Sequence, residues 1–265
     1  MKSSAVLISG AGTRLGKLFA RHMATSGYDV AIHCNSSLES ARALAAELQE
    51  MGCAAEVFPQ DFTEAFDTDA YLADVQRVFP NLCCLLNNAS AYAAAPSAKT
   101  DRALLETQFR VNLVTPFLMT ASFAKQIASE KANSSKDNNG PIPQVINILD
   151  NKIGYHQFQY AAYLLSKHSL AEYTRLAALE FAPFLRVNGI SPGVTLPGET
   201  RTDDYVQWRL EGIPLQRQGQ DKELMAALGY LLENEFVTGQ ILTVDGGESI
   251  NQVGRNHENY PGGSE

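Results

Sequence analysis

Ala5-Val6-Leu7-Ile8-Ser9-Gly10-Ala11-Gly12-Thr13-Arg14-Leu15-Gly16 decides how the rest of this chain is read. A continuous apolar run bounded by glycine suits a strand covered on both faces. The glycines lead into a helical pattern that reaches about Ser26 and stops at Gly27. Between a first strand and a first helix, such a turn lets backbone approach a pyrophosphate, and the helix N-terminus adds free N–H groups and a positive dipole. The spacing is G-x-G-x-x-x-G rather than G-x-G-x-x-G, with Arg14 inside it. Purely structural turns use glycine as well, so the turn alone leaves both readings open.

Outward from it, Tyr28–His33, Ala54–Phe58, Leu82–Leu86, Val145–Leu149, Arg186–Ile190 and Gln240–Val244 read as strands. Helical patterns cover Leu38–Met51, Phe66–Val78, two segments within 101–130, Gln159–Ala182 and 221–233. Regular alternation predicts an α/β fold, a doubly wound parallel sheet in one domain over residues 1–250. Residues 131–143 read as a polar surface excursion, and 194–218 as a variable stretch expected to cover a substrate. The polar tail, 251–265, is expected to be mobile or pinned by a partner subunit.

Composition narrows the function. The chain has 265 residues, 45% of them apolar, and a net charge of −8 without any basic block. That argues against nucleic acid or an anionic membrane as the main partner. No apolar run approaches a membrane span, and the start of the chain is too short for a signal peptide. Cys34, Cys53, Cys83 and Cys84 lack zinc or redox spacing and read as reduced, structural residues of a cytoplasmic protein. The sequons at Asn35, Asn88 and Asn133 are then decoys. His33, His156 and His168 form no metal-ligand pattern.

The chemistry concentrates after the strand that ends at Asp150. Tyr163 and Lys167 stand four apart in a helical pattern and share one face. An ammonium beside a phenol favours the phenolate, which equips Tyr163 as a general acid. At the end of the second strand, His33, Asn35, Ser36 and Ser37 offer small donors and no carboxylate. That suits a ribose 2′-phosphate, and so NADP or NADPH over NAD. A serine-rich helix cap would need the same residues.

Taken in order, Gly10/Gly12/Gly16, Asn88-Ala89-Ser90, Asn112, Tyr163/Lys167 and Pro192-Gly193 resemble the short-chain dehydrogenase/reductase family over about residues 4–250. The resemblance implies a Rossmann-type fold with a seven-stranded parallel sheet. It implies a homotetramer paired partly through the helix of Tyr163, a water-linked proton relay at Asn112, and a Lys167 that holds the nicotinamide ribose. Cofactor contacts are implied for Ser9, Gly10, Arg14, Leu15, Gly16, Asn88, Ala89, Ser90, Pro192 and Gly193, with Asp61 and Phe62 near the adenine.

Asp150 stands where the family usually has a serine. An ionised carboxylate cannot donate to a substrate carbonyl and repels a developing oxyanion, so ordinary ketone reduction is disfavoured. Aspartate here is similar to the pteridine reductase branch. So are Arg14 in place of a fingerprint glycine, Ser90, the ring of Tyr92, and the segment Ile213-Pro214-Leu215-Gln216-Arg217. The expectation is hydride transfer from NADPH to a pteridine, with proton delivery by Tyr163 and Asp150. Arg14, Ser90, Tyr92, Asp150 and Tyr163 are expected to meet that substrate. A carbonyl or 3-oxoacyl reductase, or an NADP-binding regulatory protein without turnover, are the alternatives.

Overall fold

The computed structural model describes residues 4–133, 141–196, 202–251, 254, 255 and 257–262. Seven strands form one sheet: β1 (Ala5–Ile8), β2 (Asp29–Cys34), β3 (Ala55–Pro59), β4 (Leu82–Asn87), β5 (Gln144–Ile148), β6 (Arg186–Pro192) and β7 (Ile241–Val244). Their order is β3-β2-β1-β4-β5-β6-β7, and every neighbouring pair is parallel. The sheet is therefore the doubly wound one read from the sequence. Strands β1, β5 and β6 are buried at every position, so β1 reads as an unbroken apolar run, while β5 and β6 also bury polar side chains such as Asn147, Arg186 and Asn188.

Each face of the sheet carries its own apolar layer. Phe19, Met23, Leu44 and Leu48 pack on one side under α1 (Arg14–Thr25) and α2 (Leu38–Glu50). On the other, Leu72 of α3 (Thr68–Val78), Phe123 of α5 (Thr115–Asn133) and Leu170 of α6 (Ala161–Phe181) fill the space. The strand order reverses between β1 and β4, and a crevice opens at the carboxyl ends of those two strands, where such sheets hold ligands.

The two helical segments read within 101–130 are present, while the variable stretch and the tail differ from the sequence reading. The helices expected within 101–130 are α4 (Arg102–Phe109) and α5, joined without a loop by a π-helical segment, Arg110–Val114. The stretch 194–218 contains a helix, α7 (Asp203–Glu211), followed by α8 (Asp221–Glu233). Thr202 caps α7 by accepting from the Tyr205 N–H. No apolar stripe announced α7, because the residue it buries is Arg209, paired at 2.7 Å with Glu248 of α9 (Glu248–Asn251).

The described end of the chain folds back on that same helix. Arg255 reaches the Trp208 carbonyl and pairs with Glu211, and Tyr260 packs on Tyr205 and Trp208 with ring centroids 5.5 and 5.3 Å apart. The described part of the tail is thus tied to α7 of its own chain by aromatic and ionic contacts that composition did not disclose. Of the excursion, residues 134–140 lie outside the described residues, as do 197–201 of the variable stretch. No described helix is long and apolar enough to cross a membrane.

Candidate active site

A cleft of about 870 Å³ runs along the carboxyl ends of the strands, from His33 to Arg209. A smaller hollow of about 440 Å³ lies at the opposite ends of the strands, beside Ala5, Asp29 and Asn81, away from Asp150 and Tyr163.

At one end of the cleft the glycine turn is locked by side chains rather than by size alone. Gly10 takes φ +65°, and its N–H donates to His33 Nδ1 at 2.9 Å. Because Nδ1 accepts, Nε2 carries the proton and donates to the Gln60 carbonyl at 2.9 Å. Burial pushes His33 down to about 4, so the ring stays neutral, with Phe62 stacked on it at 3.9 Å. His33 lines the cleft as expected, but both nitrogens serve the backbone.

A Cβ on Gly16 would lie 2.2 Å from the Gly10 carbonyl oxygen and 2.7 Å from Asn88 Nδ2, so only glycine fits. Ser9 is buried and does not reach the cleft. Its hydroxyl accepts from the Asn88 and Ala89 N–H groups, both at 2.9 Å, and joins the ends of β1 and β4. Arg14 adopts φ +45°, the left-handed region that suits a glycine, and its guanidinium donates to the Leu196 carbonyl at 2.7 Å.

Asn35, Ser36, Ser37, Phe62 and Thr63 line the far wall. Asp61 is turned toward its neighbours instead. It accepts from Asn35 Nδ2 at 3.0 Å and from the Thr63 hydroxyl and N–H, and the Thr63 bonds hold it below the usual carboxylate range. Leu15, Gly16, Ala89, Pro192 and Gly193 also border the cleft. The turn without side chains, the open N-terminus of α1 and the small donors together fit a dinucleotide with a 2′-phosphate.

At the other end, Tyr163 donates its phenolic proton to Asp150 Oδ2 at 2.7 Å. The other oxygen, Oδ1, accepts from the Lys152 N–H at 2.9 Å and caps a turn of 3₁₀ helix, Asn151–Gly154. Asp150 is therefore both a cap and the partner of Tyr163. Lys167 Nζ donates to the Ile148 carbonyl at 2.8 Å and lies 6.0 Å from the centre of the Tyr163 ring.

The expected easing of the Tyr163 proton by Lys167 is reversed in this arrangement. Burial, and then the Asp150 charge, hold Tyr163 well above the ordinary phenol range. Burial also pushes Lys167 down, to about 8, against the pull of Asp150.

Asn112 sits in the π-helical segment, fully buried. Its oxygen accepts from the Ala91 N–H at 2.8 Å and the Ser90 hydroxyl at 3.1 Å, and its amide donates to the Ala91 carbonyl and to Ser166 Oγ. The side chain clamps the 90–91 segment to α6 and does not line the cleft. Tyr92 is half-exposed, with Tyr160 stacked on one face at 5.2 Å and the Tyr163 ring edge-on at 4.8 Å.

Sequence reasoning missed Lys152, Tyr205 and Arg209, which also line this end. Lys152 stands two positions after Asp150, and that adjacency was the one available signal. Among the described residues no group of three or more His, Cys, Asp or Glu is placed to hold a metal ion.

Comparison with known proteins agrees with this geometry. A family model described as enoyl-(acyl carrier protein) reductase matches residues 10–249. Pteridine reductase 1 of Leishmania tarentolae is 28% identical, with 93% of this chain and 96% of that protein covered. A dihydromonapterin reductase of Escherichia coli is 25% identical, over 92% and 96%. The crystal structure of FolM alternative dihydrofolate reductase 1 from Brucella canis, complexed with NADP, superposes with a TM-score of 0.82. It is 30% identical, with coverage of 93% and 94%. From the glycine turn after β1 to the last helix, this chain belongs to the short-chain dehydrogenase/reductase family.

Proposed function

We propose that the protein is an NADPH-dependent reductase of a pteridine, of the dihydropterin or dihydrofolate type. One observation carries this reading: the phenol of Tyr163 is bonded to a carboxylate, Asp150, at 2.7 Å. A tyrosine that reduces ketones must offer its proton to the substrate oxygen, and here that proton is already engaged. The negative oxygen of Asp150 would meet a carbonyl with repulsion, yet it can accept from the amino and ring N–H groups of a pterin. The relatives named as pteridine and dihydromonapterin reductases, and the NADP complex of a FolM protein, support the same substrate class and cofactor.

Bound at this turn, NADPH supplies a hydride. The chain's own residues do the rest. Gly10, Arg14, Leu15, Gly16, Asn88 and Ala89 line the phosphate half of the cleft, and Asn35, Ser36 and Ser37 the 2′-phosphate end. Lys167 neutralises charge beside the ribose, and Pro192 and Gly193 bound the nicotinamide end. Tyr163 gives its phenolic proton to a ring nitrogen, and Asp150, after taking up a proton from solvent, returns one to the phenolate across the contact the two residues share. Tyr92 has one face on Tyr160 and offers the other to a flat heterocycle. Ser90 and Asn112 set the slot width through the clamp on Ala91.

Self-association as a homotetramer is part of the proposal. Leu165, Leu176 and Leu179 of α6 and Phe117 and Leu118 of α5 are exposed large apolar side chains, which supports an interface along these two helices. Four free cysteines support a cytoplasmic setting, and the acidic balance supports a small-molecule partner rather than nucleic acid. A ternary crystal structure with NADP and methotrexate tests the site: the pteridine ring should lie against Tyr92 with its amino edge toward Asp150. A ring bound away from both would refute it.

A further inference from the structure

Lys152 lines the substrate end of the cleft and is only 8% exposed. Its ammonium donates to the Tyr92 hydroxyl at 3.0 Å and lies over the Tyr160 ring at 4.3 Å and the Tyr92 ring at 5.1 Å. Among the described residues it forms no ion pair; the carboxylate nearest in sequence, Asp150, bonds its backbone N–H and Tyr163 instead. An ammonium has three donors, and one is engaged by a neutral oxygen. Ring faces offset only part of the desolvation of a buried cation, far less than a carboxylate partner would.

Across the same cleft, Arg209 is likewise buried. Its Nη2 is paired with Glu248 at 2.7 Å, while its Nη1 is buried with no hydrogen-bond partner. Among the described residues the substrate half thus carries two cations with unused donors, and Asp150, the carboxylate that lines it, already accepts two hydrogen bonds.

We propose that Lys152 is a specificity-determining residue that receives a carboxylate borne close to the heterocycle of the substrate, with Arg209 as the second donor. The inference rests on the pteridine reading and names the kind of pteridine. The Lys152 ammonium is bonded to the hydroxyl of Tyr92, the ring offered to the substrate, so the anionic group must be attached directly or by a short link. Tyr92 is then fixed by Lys152 and completed by the substrate's own charge.

Calorimetric titration of the NADP-bound tetramer or monomer, whichever form is isolated, with pterin-6-carboxylate and with 6-methylpterin tests this without turnover. Wild-type protein should favour the carboxylate. Lys152→Met should lower the carboxylate-to-methyl affinity ratio at least tenfold, and Lys152→Arg should keep most of it. Tyr92→Phe removes the hydroxyl but not the charge, so it should leave the ratio within about twofold. A ratio unchanged in Lys152→Met, with both pterins binding, overturns the inference alone. A ratio lost equally in Tyr92→Phe also overturns it, since Lys152 would then only brace the ring. Wild-type protein that binds 6-methylpterin but not pterin-6-carboxylate overturns the inference alone, and failure of both to bind overturns the pteridine reading and this inference with it.

Discussion

The Tyr163 hydroxyl donates a hydrogen bond to Asp150 at 2.7 Å, on the same carboxylate that caps the turn Asn151–Gly154. The bond fixes where the phenol points. It also sets the acidity of the site, because the carboxylate and burial together keep Tyr163 protonated. Replacing Asp150 by serine removes both effects. Pteridine reduction should fall about 100-fold in kcat/KM, the usual scale of a positioned proton donor, and a small diketone should become a measurable substrate. Steady-state kinetics on both substrates check this. Undiminished pteridine turnover in Asp150→Ser would remove Asp150 from the relay.

Lys167 gives a pH dependence with a defined sign. It releases its proton at about 8 in the folded protein, against an ordinary value of 10.5. Between those values the unfolded chain holds more protons, so the unfavourable contribution of the buried charge, full below pH 8, lifts as pH rises. Stability relative to Lys167→Met should therefore increase between pH 8 and 10 in urea titrations. Activity should move the other way. The same deprotonation removes the charge beside the ribose, so kcat/KM should decline above pH 8, and Lys167→Arg should shift that limb upward.

Gly16→Ala tests the turn. A methyl group there meets the Gly10 carbonyl oxygen at 2.2 Å, and backbone cannot yield as a side chain can. The overpacking penalty, about 1–3 kcal/mol, exceeds the helix-propensity gain of about 1 kcal/mol for glycine to alanine. NADPH affinity, read by fluorescence titration, should fall more than tenfold, and the melting temperature should drop by several degrees.

Glu248 and Arg209 tie the end of the chain to α7. Glu248 also accepts from Asn151 Nδ2 at 2.8 Å, so it braces the turn beside Asp150. Removing one partner of a buried pair leaves an uncompensated charge and costs about 3–5 kcal/mol. Glu248→Gln should destabilise the protein by that order, and adding Arg209→Met should restore much of the loss. Denaturant unfolding of the three variants measures the coupling. Simple additivity would mean that the pair is not a unit.

Much of the frame was legible in the residues. Apolar runs such as Val145–Ile148 and the turn from Gly10 to Gly16 announce a parallel sheet with a crevice, because burial on both faces and close backbone approach leave direct marks in composition. The spacing of Asp150 and Tyr163 foretold their meeting, and it placed Lys167 on the same helix face, where it bonds the Ile148 carbonyl beside them. What stayed hidden was held by polar contacts between distant segments. Helix α7 buries an arginine instead of an apolar stripe, and Lys152 is a lysine that the fold encloses among tyrosine rings. Neither leaves a periodic trace. The balance on Tyr163 was also invisible, because desolvation depends on how deeply the packed chain covers the phenol.

Oxidation of NADPH, followed by absorbance, with a panel of 7,8-dihydropterin, 7,8-dihydrofolate, a quinonoid dihydropterin and a small diketone puts the proposed chemistry to the most direct test. Turnover on at least one reduced pteridine, at a kcat/KM at least 100-fold above the diketone, is expected from a site where Asp150 engages Tyr163. Binding of NADPH without oxidation on any pteridine, or preferred turnover of the diketone, would contradict it.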